Sequence, residues 1–174
     1  YSNTLRTVRK EIDPFIRESE GILEKIKNTV PGLSDDNVPK LNNFGDSAVY
    51  TNNIIPEYAK GFQEDKNDPI MDEVIRLADI TKRVAVFKPR KMIGGYSLKN
   101  QEYHDYVKLS TKTEMAGYNF KQKLKQTMAT SYYKSQSDFA KEQISETIRD
   151  AYYKTGKEIF LLQYPHIRKY SMDK

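Results

Sequence analysis

Two histidines are the side chains of this sequence best suited to acid–base chemistry or metal binding. His104 is followed directly by Asp105, and His166 lies far along the chain. Adjacent residues on a helix do not face each other, so His104 and Asp105 do not predict a catalytic dyad. A metal site built from both histidines would require the fold to bring two distant segments together. We therefore predict neither a catalytic site nor a metal site at these residues.

Paired carboxylates could also bind a metal ion or transfer protons. The pairs are Asp35-Asp36, Glu64-Asp65 and Asp72-Glu73. We interpret the first two as solvated loop acids and the third as charge at a helix N-terminus. Because the chain has no cysteine, disulfides, thiolate metal sites and thiol nucleophiles are excluded. We predict that the chain is not an enzyme and needs no cofactor.

The composition indicates a thin core and much solvated or partner-facing surface. The chain has 174 residues, the usual size of one domain, of which 37% are hydrophobic and 30% are charged. Its mean hydropathy is -0.79. No apolar run approaches the roughly 20 residues that a membrane span needs. We therefore predict no membrane span.

Three regions follow one another along the chain. Residues 1–30 carry apolar side chains in steps of three and four, which is typical of an ordinary amphipathic helix or a coiled-coil seam. Residues 31–68 are rich in Asn, Asp, Gly and Pro, and we predict an extended irregular arm. Residues 69–174 are predicted to form a helical module. The predicted fold class is therefore mainly α, with extended amphipathic helices joined by a long irregular arm, and with one short strand as an optional element.

Within the helical module, local signals predict where elements begin and end. Asp68-Pro69 predicts a helix start, and alternation in residues 84–87 predicts a short strand or an extended stretch before a turn at Gly94-Gly95. Ser97 is the predicted cap of a helix that continues to Met128, with Gly117 marking a bend. Residues 135–138 predict the start of a last long helix, which ends before Pro165.

Basic residues concentrate in the C-terminal part of the chain. The net charge is +5, and residues 97–174 alone hold 14 basic and 9 acidic residues. Lys121 and Lys125 share a helix face, and Arg90 and Lys91 lie in a second cluster, so these four could contact phosphates. The alternative is an ordinary solvated face, because acidic residues are interspersed.

Four short motifs succeed one another across roughly residues 37–162: Asn43-Phe44-Gly45-Asp46, Asn67–Leu77, Gly95–Leu98 leading to Glu102–Tyr106, and Ile148–Ala151. Their order and spacing resemble the C-terminal region of the large internal virion proteins of tailed bacteriophages. Ser110 and Thr111 depart from the pattern, which often has a small residue or glycine after the second Tyr. The resemblance implies a protein packaged in the capsid or tail and delivered with the genome, and a start at Tyr1 fits a piece of a longer chain. It carries over no catalytic residue.

We therefore expect a structural segment of a phage internal or ejected cargo protein. It would dock on portal, tail-barrel or sister copies, within a particle and as an oligomer. The predicted contact residues are Phe44, Ile54, Ile55, Tyr103, Tyr106 and Tyr152. The alternative is a basic nucleic-acid-binding module that uses Lys121, Lys125, Arg90 and Lys91 and could contact packaged DNA.

Overall fold

The computed structural model describes residues 40–46 and 68–172. Within these residues the chain is mainly α-helical, as predicted, with one two-stranded antiparallel sheet. The predicted helix over residues 1–30 and most of the predicted arm lie outside the described residues. The elements are α1 (Pro69–Thr81), β1 (Met92–Ile93), β2 (Tyr96–Ser97), α2 (Asn100–Lys112), α3 (Phe120–Met128), α4 (Ser131–Lys134), α5 (Asp138–Gln163) and α6 (Pro165–Met172).

The start of α1 is the one that the sequence predicts. The Asp68 carboxylate accepts a hydrogen bond from the Ile70 N–H at 3.0 Å, and Pro69 occupies the first turn, where no intrahelical N–H bond is lost. The buried face of α1 consists of Ile70, Met71, Val74, Leu77 and Ala78. The predicted helix start is confirmed.

Residues 84–87, predicted as a short strand or an extended stretch, form no strand. Ala85 and Val86 are both buried, so burial does not alternate there, and this segment has irregular backbone. The strands lie just beyond it, where Ile93 pairs with Tyr96 across the Gly94-Gly95 turn. Both glycines have positive φ values, 53° and 88°, which tight hairpin turns require and glycine adopts without strain. The turn predicted at these glycines is confirmed.

The helix predicted to run from a Ser97 cap to Met128 is two helices. Ser97 lies in β2, and Lys99 precedes the first residue of α2, with its N–H donating to the Glu102 carboxylate at 2.8 Å. Between α2 and α3, the backbones of Met115 and Tyr118 exchange hydrogen bonds across a turn that holds Gly117 at φ 82°. The bend predicted at Gly117 therefore separates two elements.

The longest helix, α5, starts and ends as predicted. The Ser137 hydroxyl accepts a hydrogen bond from the Ala140 N–H at 3.2 Å, and the helix ends at Gln163, before Pro165. Pro165 then opens α6, which the sequence did not predict. Among the described residues no helix is both long enough and apolar enough to cross a membrane.

Residues 40–46, which belong to the predicted arm, form a turn that is held in the helical module. The Asn42 side-chain oxygen accepts N–H bonds from Phe44 and Asp46 at 2.9 and 3.0 Å. Asn43 donates to the Val86 carbonyl at 3.2 Å. Phe44 is 1% exposed and its ring lies 5.9 Å from that of Phe120. This part of the arm is therefore a component of the core.

The helices α2 and α5 form the most extensive contact between elements, and they meet at Gly156. A Cβ atom built on Gly156 would lie 2.5 Å from the Ser110 Cα and 2.6 Å from the Ser110 backbone nitrogen. Real Cβ atoms do not approach backbone atoms this closely, so the two helices can pack at this distance only because residue 156 lacks a side chain.

We predict that Gly156→Ala lowers the free energy of unfolding by about 1–3 kcal/mol, because the methyl group forces α2 and α5 apart. Alanine is the better helix former by about 1 kcal/mol, so steric strain must exceed this gain. Chemical denaturation monitored by circular dichroism measures the change. Lys154→Ala, at an exposed position one half-turn earlier, is the control and should change stability by less than about 0.5 kcal/mol. A Gly156→Ala variant as stable as wild type would show that the contact is not tight.

Candidate docking site

The His104-Asp105 pair is not a dyad in the structure. His104 Nδ1 lies 3.7 Å from an Asp105 carboxylate oxygen, which is too far for a hydrogen bond. Asp105 instead accepts hydrogen bonds from Gln101, at 2.9 Å, and from the Tyr164 hydroxyl. His104 Nδ1 is buried without a hydrogen-bond partner. Asp105 therefore joins α2 to the end of α5.

The second histidine contacts a carboxylate that sequence reasoning did not select. His166 Nε2 lies 3.0 Å from Glu102, and the Tyr96 hydroxyl donates to the same carboxylate at 3.1 Å. Glu102 is 5% exposed and also accepts the Lys99 N–H. These contacts join α6 and the hairpin to the first turn of α2. A Glu three residues after a helix start is a local capping signal, but its contact with His166 depends on the tertiary fold.

Glu142 is a buried carboxylate in the middle of the packed region, where α5 meets the segment after α1. It is 1% exposed and its Oε1 has no hydrogen-bond partner. Burial, and next the neighbouring Glu146, raise the pKa of Glu142 to about 7, although Arg83 and Arg149 partly offset both effects. Within the described residues, no three His, Asp or Glu side chains gather closely enough to hold a metal ion.

Three of the predicted contact residues lie in the core, which corrects their assignment to a docking surface. Phe44, Tyr106 and Tyr152 are 1%, 7% and 2% exposed. Side chains this deeply buried cannot touch a partner directly. Their apolar character was used to predict an interface, but it serves the packing of the chain itself.

The remaining predicted contact residues have different positions. Tyr103 is half-buried, and its hydroxyl donates to the Pro89 carbonyl at 2.8 Å. Ile54 and Ile55 lie outside the described residues, so their predicted role stays a prediction.

The four basic residues of the predicted nucleic-acid surface lie on different elements. Lys121 forms an ion pair with Asp68, and its ammonium group lies 5.1 Å from the centre of the Phe44 ring, so its charge is compensated within the chain. Lys91 donates to Asn100 at 2.6 Å, and Arg90 is exposed in the loop before β1. Lys125 is exposed on α3.

A groove of about 450 Å³ opens where α1, α3, α4 and α5 meet. Its apolar lining residues are Pro69, Ile70, Met128 and Ala129, which we call the floor. Helix caps fix these positions: Asp68 caps α1, and the Ala129 N–H donates to the Lys125 carbonyl at the end of α3. The groove is therefore built from helix ends held by local hydrogen bonds.

Lysines surround this floor. Lys125 stands on α3, Lys134 ends α4, and Lys141 lies in the first two turns of α5. Lys125 and Lys134 are exposed, whereas the ammonium group of Lys141 lies 5.5 Å from the centre of the Tyr133 ring. Cations from three helices therefore line one concave surface. We call Lys125, Lys134 and Lys141 the lysine rim.

The acidic side chain that lines the groove already has partners. The Glu73 carboxylate accepts hydrogen bonds from Arg76 at 2.8 and 2.9 Å and from the Tyr133 hydroxyl at 3.0 Å. Burial alone would raise the pKa of Glu73, but the Arg76 and Tyr133 contacts outweigh it, so the pKa lies below its usual value. Glu73 is thus ionised and shares Arg76 with Asp138, so Arg76 and the lysine rim together outnumber these two carboxylates and the groove keeps a net positive charge.

Sequence reasoning found only Lys125 among the residues of the lysine rim. The groove residues are spread from Pro69 to Lys141, and no periodicity relates them. Comparison of the chain with family models, with curated proteins and with solved structures finds no match. The groove is therefore identified as a candidate site from the geometry of the chain alone.

We predict that Glu142→Gln removes a pH dependence of stability. The unfolded chain loses the Glu142 proton near pH 4.5 but the folded chain only near pH 7, so stability falls as the pH rises between these values. The loss is at most roughly 3 kcal/mol. Denaturation at several pH values should show Glu142→Gln gaining stability over wild type across this window and keeping the gain above it. Glu158→Gln, at an exposed position of α5, is the control; parallel curves for wild type and Glu142→Gln would contradict the prediction.

Proposed function

We propose that this chain is a structural interaction module that docks on a partner protein through the groove between α1, α3, α4 and α5. The groove is the observation that supports the proposal. An apolar centre with a charged border is the usual composition of a protein-binding surface. The half-buried Met128 contributes to it, and Met is enriched in such surfaces.

We further propose that the module is a segment of an internal or ejected cargo protein of a tailed bacteriophage. Its partners would be portal protein, tail-barrel protein or sister copies inside the particle. The support for this part is the succession of motifs in the sequence. One of those motifs, Asn67–Leu77, contributes Pro69, Ile70 and Glu73 to the groove, so the resemblance and the proposed docking surface involve the same residues.

Residues 40–46 give the module a second role. A turn anchored by the buried Phe44 ring, and by an ion pair of Asp46 with Lys112, attaches the arm region firmly to the helices. Such an attachment suits a component of an assembly.

The test is mass spectrometry of purified virions from the source, combined with variants. We expect peptides of the chain in wild-type particles and at least about a tenfold loss of incorporation for Ala129→Glu, because a buried charge on the floor disfavours docking. Ala129 is exposed, so this change spares the core. Ile80→Glu places the same charge at a 53% exposed apolar position elsewhere on the surface and should be incorporated normally.

Two outcomes would contradict the proposal. Absence of these peptides from particles would overturn the virion role. Normal incorporation of Ala129→Glu would overturn docking through the groove.

A further inference from the structure

We infer that the groove binds an acidic segment of the partner, with one apolar side chain against the floor and carboxylates at the lysine rim. This inference rests on the proposed function and names the chemistry of the partner. It follows from three features of the groove: the sign of its charge, the apolar composition of its floor, and the contacts that already cover the Tyr133 ring.

The charge of the groove selects an anion. Lys125, Lys134 and Lys141 stand at its border, and Glu73 is held by Arg76 and Tyr133. No ion pair within the described residues joins any of the three lysines to a carboxylate. Lys141 nevertheless interacts electrostatically with Glu73 and Asp138. Lys125 and Lys134 are therefore the lysines that a partner's carboxylates would bind through charge-assisted hydrogen bonds without first breaking ion pairs.

The floor selects an apolar side chain beside those carboxylates. Pro69 and Ala129 are exposed, and Met128 is half-buried and can adjust its rotamer, so these three residues can contact the occupant. A volume of about 450 Å³ is in the range of pockets that bury a small ligand or a few side chains. A free inorganic anion would leave this apolar floor uncovered, so a peptide segment fits better.

The aromatic ring of the groove argues against a nucleic acid as the occupant. Binding of single strands combines cations with exposed aromatic faces on which bases stack. In this groove the ammonium group of Lys141 lies above the Tyr133 ring, and the Tyr133 hydroxyl donates to Glu73. A second copy of the chain is also disfavoured, because each copy carries a net charge of +5.

The test uses three labelled peptides of about twelve residues that share the same leucine positions and differ elsewhere by carrying Glu, Ser or Lys. Fluorescence anisotropy measures their binding to the full chain. We expect the Glu peptide to bind about tenfold or more tighter than the Ser peptide, and the Lys peptide to bind weakest. The Lys125→Glu/Lys134→Glu variant should reverse this order. The matched control, Lys154→Glu/Lys169→Glu, changes exposed lysines outside the groove and should keep it.

The outcomes separate the two proposals. Equal binding of the Glu and Ser peptides, abolished by Ala129→Glu, would overturn the acidic partner and leave docking through the groove intact. Peptide binding that neither Ala129→Glu nor the lysine-rim variant alters would overturn both. In a third outcome, a single-stranded oligonucleotide displaces the Glu peptide from the wild-type chain and fails to bind the Lys125→Glu/Lys134→Glu variant. That result would overturn the acidic segment and identify a nucleic acid as the occupant.

Discussion

The close approach of α2 to α5 at Gly156 is the constraint on which the rest of the fold depends. A side chain there would meet the Ser110 backbone, so glycine allows two helices to pack with their backbones nearly in contact. The 26-residue α5 then serves as the axis of the module, since α1, α3 and α6 also pack against it. The groove lies at its N-terminal end, where the caps of α1 and α5 and the end of α3 converge. A shift of α5 would move Lys141 relative to the floor.

Charge pairing inside the module explains why the groove is left positive. Asp68 binds Lys121, and Glu73 and Asp138 share Arg76, so these three carboxylates are all held in ion pairs. These pairs tie α1 to α3 and α5 while they remove negative charge from the surface. Lys125 and Lys134 of the lysine rim form no ion pair within the described residues, whereas Lys141 also lies over the Tyr133 ring.

Local signals in the sequence predicted those features that a few neighbouring residues determine. The helix starts at Asp68 and Ser137 depend on a side chain that bonds a backbone N–H two or three residues later, and the Gly94-Gly95 turn depends on positive φ values. Ser97 has the right chemistry for a cap, but the hairpin turn pairs it with Met92 first. The start of α2 was predicted wrongly because two local signals, a cap and a hairpin turn, overlap at Ser97.

Contacts between residues far apart in the chain could not be predicted from the sequence. Phe44 and Phe120 are far apart in the sequence, yet their rings pack together. An apolar residue in an irregular segment has the same local sequence signal whether the core or a partner covers it. Lys121 likewise resembles any solvated lysine until Asp68 is seen beside it. The groove combines residues of four helices, so only the packing reveals it.

Photo-crosslinking in purified virions tests docking through the groove most directly. A photoreactive amino acid would replace Ala129 on the floor of the groove or, as the control, Ile80 outside it. If the chain docks through the groove, we expect a crosslink from position 129 alone, to one site in another virion protein. Asp and Glu should be abundant in the crosslinked peptide. Equal crosslinking from both positions, or none from position 129, would contradict it.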